Sequence, residues 1–180
     1  MRKELYKKIE IPQGIEAEVE GNMLKVKGSE GEISKKFNIK NLEFGIKDGK
    51  IIVGNKKSTK KEKKMMNTVA AHIKNMIRGV QGKFEYELVA VFSHFPISVE
   101  VKGHEVLIKN FLGEKIPRKT SVPAGVEIEV KGNLIKIRSA DRELAGQAAA
   151  NLETATRIRS RDRRIFQDGI FMTKKAGREI

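Results

Sequence analysis

A motif that recurs along the chain constrains its fold more than any single residue does. A proline, an alternating apolar run, a glycine-centred tip and a second alternating run occur from Pro12 (PQGIEAEVEGNMLKVKG), from Pro96 (PISVEVKGHEVLIKN) and from Pro123 (PAGVEIEVKGNLIKIR). On the outward run apolar side chains take every second position: Ile15, Ala17 and Val19; Val99 and Val101; Val126, Ile128 and Val130. The return run alternates again with Leu24 and Val26, Val106 and Ile108, and Ile135 and Ile137. A period of two places such side chains on one face of a strand, and Gly-Asn or Gly-His at the tip supplies the backbone of a tight turn. Each segment is predicted to be a β-hairpin with one buried face.

The hairpins belong to a larger duplication. Gly21 and Gly103 are 82 residues apart, as are Gly31-Glu32 and Gly113-Glu114, and Gly49 and Gly132 are 83 apart. Such a fixed offset signals a repeated structural unit. Each half then enters a helix. Thr59 and Glu62 have the spacing of a capping box, and Met65, Met66, Val69, Ala70, Ile73, Met76 and Ile77 form an i, i+3, i+4 stripe. In the second half Asp141 can cap a helix carrying Leu144, Ala145, Ala148, Ala149, Leu152 and Ala155, a small-residue stripe that lets a helix lie close on its sheet. The fold class is therefore α+β: two tandem duplicated domains, 1–81 and 82–180, each an antiparallel β-sheet packed against one main helix and joined near Gly79–Gly82.

About 20 residues beyond the second helix have no counterpart in the first half, and charge concentrates there. The chain carries 37 Lys and Arg against 23 Asp and Glu, a formal charge of +14. A net of +6 lies between Arg157 and Arg178 and a net of +5 between Lys56 and Lys64, so the rest of the body is nearly neutral. A localised excess points to a polyanionic partner. Five arginines fall within the eight residues Arg157, Arg159, Arg161, Arg163 and Arg164 span; like charges at that density make a poor solvated helix face. Arginine's planar fork pairs with phosphate and stacks on bases, both of which RNA contacts use. A merely solubilising tail would lack the interspersed Ile165, Phe166, Ile170 and Phe171, which suit a segment that docks on its domain; Asp168-Gly169 reads as a turn. Lys174, Lys175 and Arg178 complete the basic segment. Lys56, Lys57, Lys60, Lys61, Lys63 and Lys64 read either as a solvated loop or as a secondary RNA contact, because lysines at a helix N-terminus oppose its dipole and phosphate would relieve them.

Other chemistry finds little support. Cysteine is absent, which excludes disulfides, thiolate metal sites and cysteine nucleophiles. The N-terminus (MRKELYKKIE) has no signal-peptide core, and the longest apolar run, Leu88–Phe92, is a strand's worth, so a soluble intracellular chain is expected. Gly49 to Lys56 is no phosphate loop, since Asn55 stands where lysine must follow the second glycine. His72, His94 and His104 lack metal-ligand spacing and read as structural, and no cofactor or metal is expected. A nucleic-acid enzyme would need carboxylates or histidines beside the cations, where only Asp162, Asp168 and Glu179 stand. A basic architectural DNA-binding protein is the other rival.

The duplicated hairpin-and-helix halves, followed by Arg161-x-x-Arg164-x-Phe166-x-Asp168-Gly169-Ile170-Phe171-Met172 and a lysine pair, resemble one family over essentially the whole chain. It is the sixth protein of the large ribosomal subunit, in the archaeal and eukaryotic style, where it is also counted as the ninth. The resemblance implies a structural, non-catalytic ribosomal protein of the cytoplasm that binds large-subunit rRNA mainly through its C-terminal half. It implies a place among neighbouring ribosomal proteins near the base of the lateral stalk, by the RNA loop that translation GTPase factors contact. Carried over to this sequence, the contacts are Arg161, Arg164, Phe166, Asp168, Gly169, Lys174 and Lys175, to which charge alone adds Arg157, Arg159, Arg163 and Arg178. Asp168 is expected to fix the turn or receive an arginine. Thr154 stands where the family usually has Gln, and Phe171 where it usually has Tyr; the latter removes a hydroxyl but keeps the ring.

Overall fold

A computed structural model describes residues 3–39 and 42–180. The chain divides between Lys83 and Phe84 into two compact units. The first contains β1 (Lys3–Glu10), β2 (Glu16–Glu20), β3 (Met23–Gly28), β4 (Gly31–Lys36), β5 (Glu43–Lys47), β6 (Lys50–Ser58) and the helix α1 (Lys60–Gln81). The second contains β7 (Phe84–Val91), β8 (Ser98–Lys102), β9 (Glu105–Lys109), β10 (Arg118–Ser121), β11 (Glu127–Lys131), β12 (Leu134–Ser139), the helix α2 (Arg142–Ala155), β13 (Gly169–Lys175) and β14 (Arg178–Glu179).

All three predicted hairpins form, as β2–β3, β8–β9 and β11–β12, in registers that pair Val19 with Leu24, Val101 with Val106, and Val130 with Ile135. The strands of each unit divide between two antiparallel sheets. The order β2-β3-β4 of the first unit recurs as β8-β9-β10, and β1-β6-β5 recurs as β7-β12-β11. The duplication is thus of strand pairing as well as of sequence. One difference breaks it: β13 and β14 extend the second unit's sheet to β11-β12-β7-β13-β14. Among the described residues, no strand takes the matching place beside β1.

Both helices begin as their caps predict. The Thr59 amide donates to Glu62 Oε2 at 2.8 Å while Thr59 Oγ1 accepts from the Lys61 amide, and Asp141 Oδ1 accepts from the Glu143 amide at 2.8 Å. Met66, Val69, Ala70, Ile73, Met76 and Ile77 of α1 are buried, as are Ala145, Ala148, Ala149 and Leu152 of α2. The alanines hold α2 close to β7: a Cβ on Gly146 would stand 3.3 Å from the Tyr86 hydroxyl. Leu88, Ile135, Ile137, Leu152 and Ile170 are almost wholly enclosed in the second unit's core. Each such side chain contributes roughly 1.5–3 kcal/mol.

Two local expectations need correction. The lysine cluster is not a loop: Lys56 and Lys57 finish β6, and Lys60, Lys61, Lys63 and Lys64 occupy the first turns of α1, all exposed. Nor is Asp168-Gly169 a turn, because Gly169 opens β13 opposite Val91. The turns lie on either side. One spans Arg163–Ile165, and the other is the β13–β14 hairpin tip at Ala176 and Gly177, with φ of 50° and 79°.

Candidate nucleic-acid interface

The basic segment starts where α2 ends and is tied to the core at both of its ends. Thr156, 2% exposed, caps α2, and its Oγ1 accepts the Ile170 amide of β13 at 2.9 Å. Across the gap, Ile170 lies opposite Ala90 and Met172 opposite Leu88, with Ile170 buried. The chain between Arg157 and Asp168 is therefore a loop closed by the helix end and the strand start.

The loop has structure of its own. Asp162 Oδ1 accepts the Arg164 amide at 2.9 Å, and its carboxylate takes the Arg164 guanidinium in a fork at 2.7–3.2 Å. The Phe166 amide returns to the Asp162 carbonyl at 2.9 Å. The Arg164 side chain, then its backbone amide, holds the Asp162 carboxyl below its ordinary value, and the same pair raises the arginine. Arg161 lies over the Phe166 ring, 4.8 Å from its centroid. Among the described residues the guanidinium groups of Arg157, Arg159 and Arg163 make no hydrogen bond or ion pair, and all three are exposed. Clustered cations without internal partners cost energy through mutual repulsion, and bound phosphate removes that cost.

The other predicted residues fall into different roles. Asp168 and Gly169 are buried, and Asp168 Oδ1 accepts from Ser93 Oγ at 3.1 Å instead of receiving an arginine. Lys174 is held in the sheet: its Nζ meets Glu87 Oε2 at 2.9 Å, while Lys136 meets Glu87 Oε1 at 3.2 Å. Lys175 and Arg178 are exposed on the β13–β14 hairpin.

Two clefts flank the end of α2, and they bring in residues that sequence reasoning missed. One, of about 840 Å³, is lined by Arg118, Lys119, Gln147, Asn151, Arg157 and Arg159 among others. Asn151 donates to the Ser121 carbonyl at 3.1 Å and accepts from Gln147 at 2.7 Å, which fixes both amides on the cleft wall. Arg118 is structural: it forks onto Glu114 at 2.6 and 2.8 Å, stacks on Phe111 and donates to the Ala155 carbonyl at 2.9 Å. It thereby supplies the cation that the last turn of α2 lacks. The other cleft, about 680 Å³, lies between α2, the arginine loop and β13. Only the i, i+4 spacing of Gln147 and Asn151 hinted at this surface, and exposed amides at that spacing are commonplace on helices.

A twice-repeated α+β unit whose second copy carries a basic loop pinned at both ends, with Arg157, Arg159 and Arg163 exposed, defines a scaffold that presents positive charge at its surface. Comparison with known proteins gives that class a family. The family model described as Ribosomal protein L6 matches residues 11–83 and 95–169, one copy in each half. The chain is 43% identical to "Large ribosomal subunit protein uL6" of Methanothrix thermoacetophila, over 97% of this chain and 99% of the relative. It is 44% identical to the protein of the same description in Sulfurisphaera tokodaii, over 95% and 92%. In Archaeoglobus fulgidus the identity is 42%, over 93% and 88%. The chain belongs to the ribosomal protein L6 family, whose members are structural and not enzymes.

Proposed function

We propose that this protein is a structural constituent of the large ribosomal subunit in the cytoplasm, held there by large-subunit rRNA bound mainly through its second unit. The loop of exposed arginines, closed by Thr156 at one end and by β13 at the other, carries this reading. The contacts are Arg157, Arg159, Arg161, Arg163 and Arg164 with Phe166, joined by Lys175 and Arg178. Asp168, Gly169 and Lys174 act by positioning, since the first two are buried and the third is paired to Glu87. The lysines at the start of α1 form a secondary contact. Neighbouring ribosomal proteins and, near the stalk base, the translation GTPases complete the surroundings.

Affinity comes mainly from phosphate neutralisation, so log K should fall by about 0.7–0.9 per engaged phosphate for each unit of log salt. Replacing Arg161, Arg163 and Arg164 together with Ala should abolish binding to a folded large-subunit rRNA fragment while thermal unfolding stays nearly unchanged. Retained affinity in that variant would remove the loop as the anchor. Equal affinity of the native chain for the rRNA fragment and for duplex DNA at matched salt would favour a general architectural protein instead.

A further inference from the structure

The smaller cleft beside α2 has a lining unlike the rest of the basic face. Val91, Ile158, Phe166, Ile170 and Phe171 supply apolar wall, with Val91 43% and Phe171 44% exposed, and Arg157 and Arg163 stand among its lining residues. Two carboxylates also line it, Glu153 and Asp168. Glu153 accepts the Met172 amide through Oε1, and Asp168 accepts from Ser93 through Oδ1. The Phe171 ring is seated over Gly169, where a Cβ would come within 3.1 Å of the ring. A glycine at 169 therefore gives the ring its place.

A phosphate meets two carboxylates inside this cleft and free guanidinium groups around it, so electrostatics keep the phosphate with the arginines. A nucleobase meets aromatic and aliphatic surface and can stack. A double helix is too bulky to enter a cleft of about 680 Å³, whereas the volume of one base and its ribose fits. Resting on the RNA-binding reading above, we propose that this cleft takes a single unpaired base extruded from the RNA, stacked on Phe171, with its phosphates on Arg157 and Arg163. The loop then recognises a discontinuity in an RNA helix as well as the charge of its backbone.

The test uses the full chain and two RNA hairpins of one stem sequence, one with a bulged 2-aminopurine and one with 2-aminopurine paired in the stem. At matched salt the bulged hairpin should bind about tenfold tighter, the size of one stacking contact, with a change in 2-aminopurine fluorescence that the paired hairpin lacks. Phe171→Ala should remove that preference and the fluorescence change while leaving affinity for the paired hairpin intact, and Phe171→Tyr should keep both. Gly169→Ala, which crowds the ring, should reduce the preference. Equal binding of the two hairpins with unchanged fluorescence would overturn the cleft assignment and leave the RNA-binding reading standing. Binding to neither hairpin nor to the rRNA fragment would overturn the RNA-binding reading itself. A bulge preference that survives unaltered in Phe171→Ala would place the base elsewhere and also overturn the assignment.

Discussion

Thr156 gives the sharpest test of how the basic loop is held. Its hydroxyl accepts the Ile170 amide at 2.9 Å and donates to the Leu152 and Glu153 carbonyls at 3.5 and 3.3 Å, with the residue 2% exposed. Thr156→Val keeps the β-branched shape but deletes the acceptor. The Leu152 carbonyl retains the residue 156 amide, so the principal loss falls on the N–H of Ile170, a residue 1% exposed. An orphaned buried amide costs about 1–3 kcal/mol. At about 2 kcal/mol, and with roughly 4–8 °C per kcal/mol for a domain of this size, the second unit's midpoint should fall by roughly 8–16 °C. Thr156→Ser keeps the hydroxyl and loses one methyl, so it should cost less than half as much. Circular dichroism would follow the melt, and native-state hydrogen exchange would read the Ile170 amide directly. Protection of that amide should fall in the Val variant and persist in the Ser variant. A Val variant melting within 1–2 °C of the native chain, with Ile170 still protected, would refute the assignment of Thr156 as the clasp between α2 and β13.

Further outcomes follow from neighbouring contacts. Lys174, then Lys136, holds the Glu87 carboxyl below its ordinary value, so the folded state favours the ionised form. That stabilisation is complete above the unfolded carboxylate pKa of about 4.3 and is lost as pH falls through the lower folded value. Urea titrations across pH 2–6 should show Glu87→Gln flattening the acid loss of stability, and superimposable curves would dismiss the effect. In the first unit, a Cβ on Gly54 would stand 2.6 Å from the Leu5 carbonyl of β1, so Gly54→Ala should destabilise that unit by about 1–3 kcal/mol in chemical denaturation. Truncation after Thr156 should unfold the second unit, not yield a folded RNA-blind domain, because Ile170 leaves the core and the edge of β7 is bared. A truncated chain with a native-like melt would show that β13 is dispensable.

The parts legible in the sequence are those whose signal is local. The hairpins announce themselves because their alternation runs over adjacent residues with a glycine at each tip, and both caps lie within four residues of their partners. β13 is hidden for the opposite reason. Its partner β7 is some eighty residues upstream, and Phe171 fills an outward position between Ile170 and Met172, so three apolar residues in a row erase the period of two. Asp-Gly at its head mimics a turn. The larger cleft is no more readable, since it combines Arg118 and Lys119 of β10 with Gln147 and Asn151 of α2, elements that only the tertiary fold brings together.

β13 also explains why a duplicated fold need not have a duplicated site. The two units share their strand order, their capped helix and a cluster of cations, yet the cations are held differently. Those of the first unit sit on a strand end and in the opening turns of α1, where the helix dipole disfavours them and nothing closes a loop around them. Those of the second occupy a segment whose far end is drawn into the sheet beside β7, with Ile170 as the buried anchor. A loop fixed at both ends, with Asp162 folding its middle, has already lost much of the freedom that RNA binding would otherwise remove. Ordering a long side chain at an interface costs about 0.5–1.5 kcal/mol, and the Arg164 fork on Asp162 and the Arg161 stack on Phe166 lower that cost in advance for two of the arginines. On the proposed reading the additional strand thus turns a basic segment into a binding surface, with the buried Ile170 as the anchor that holds it.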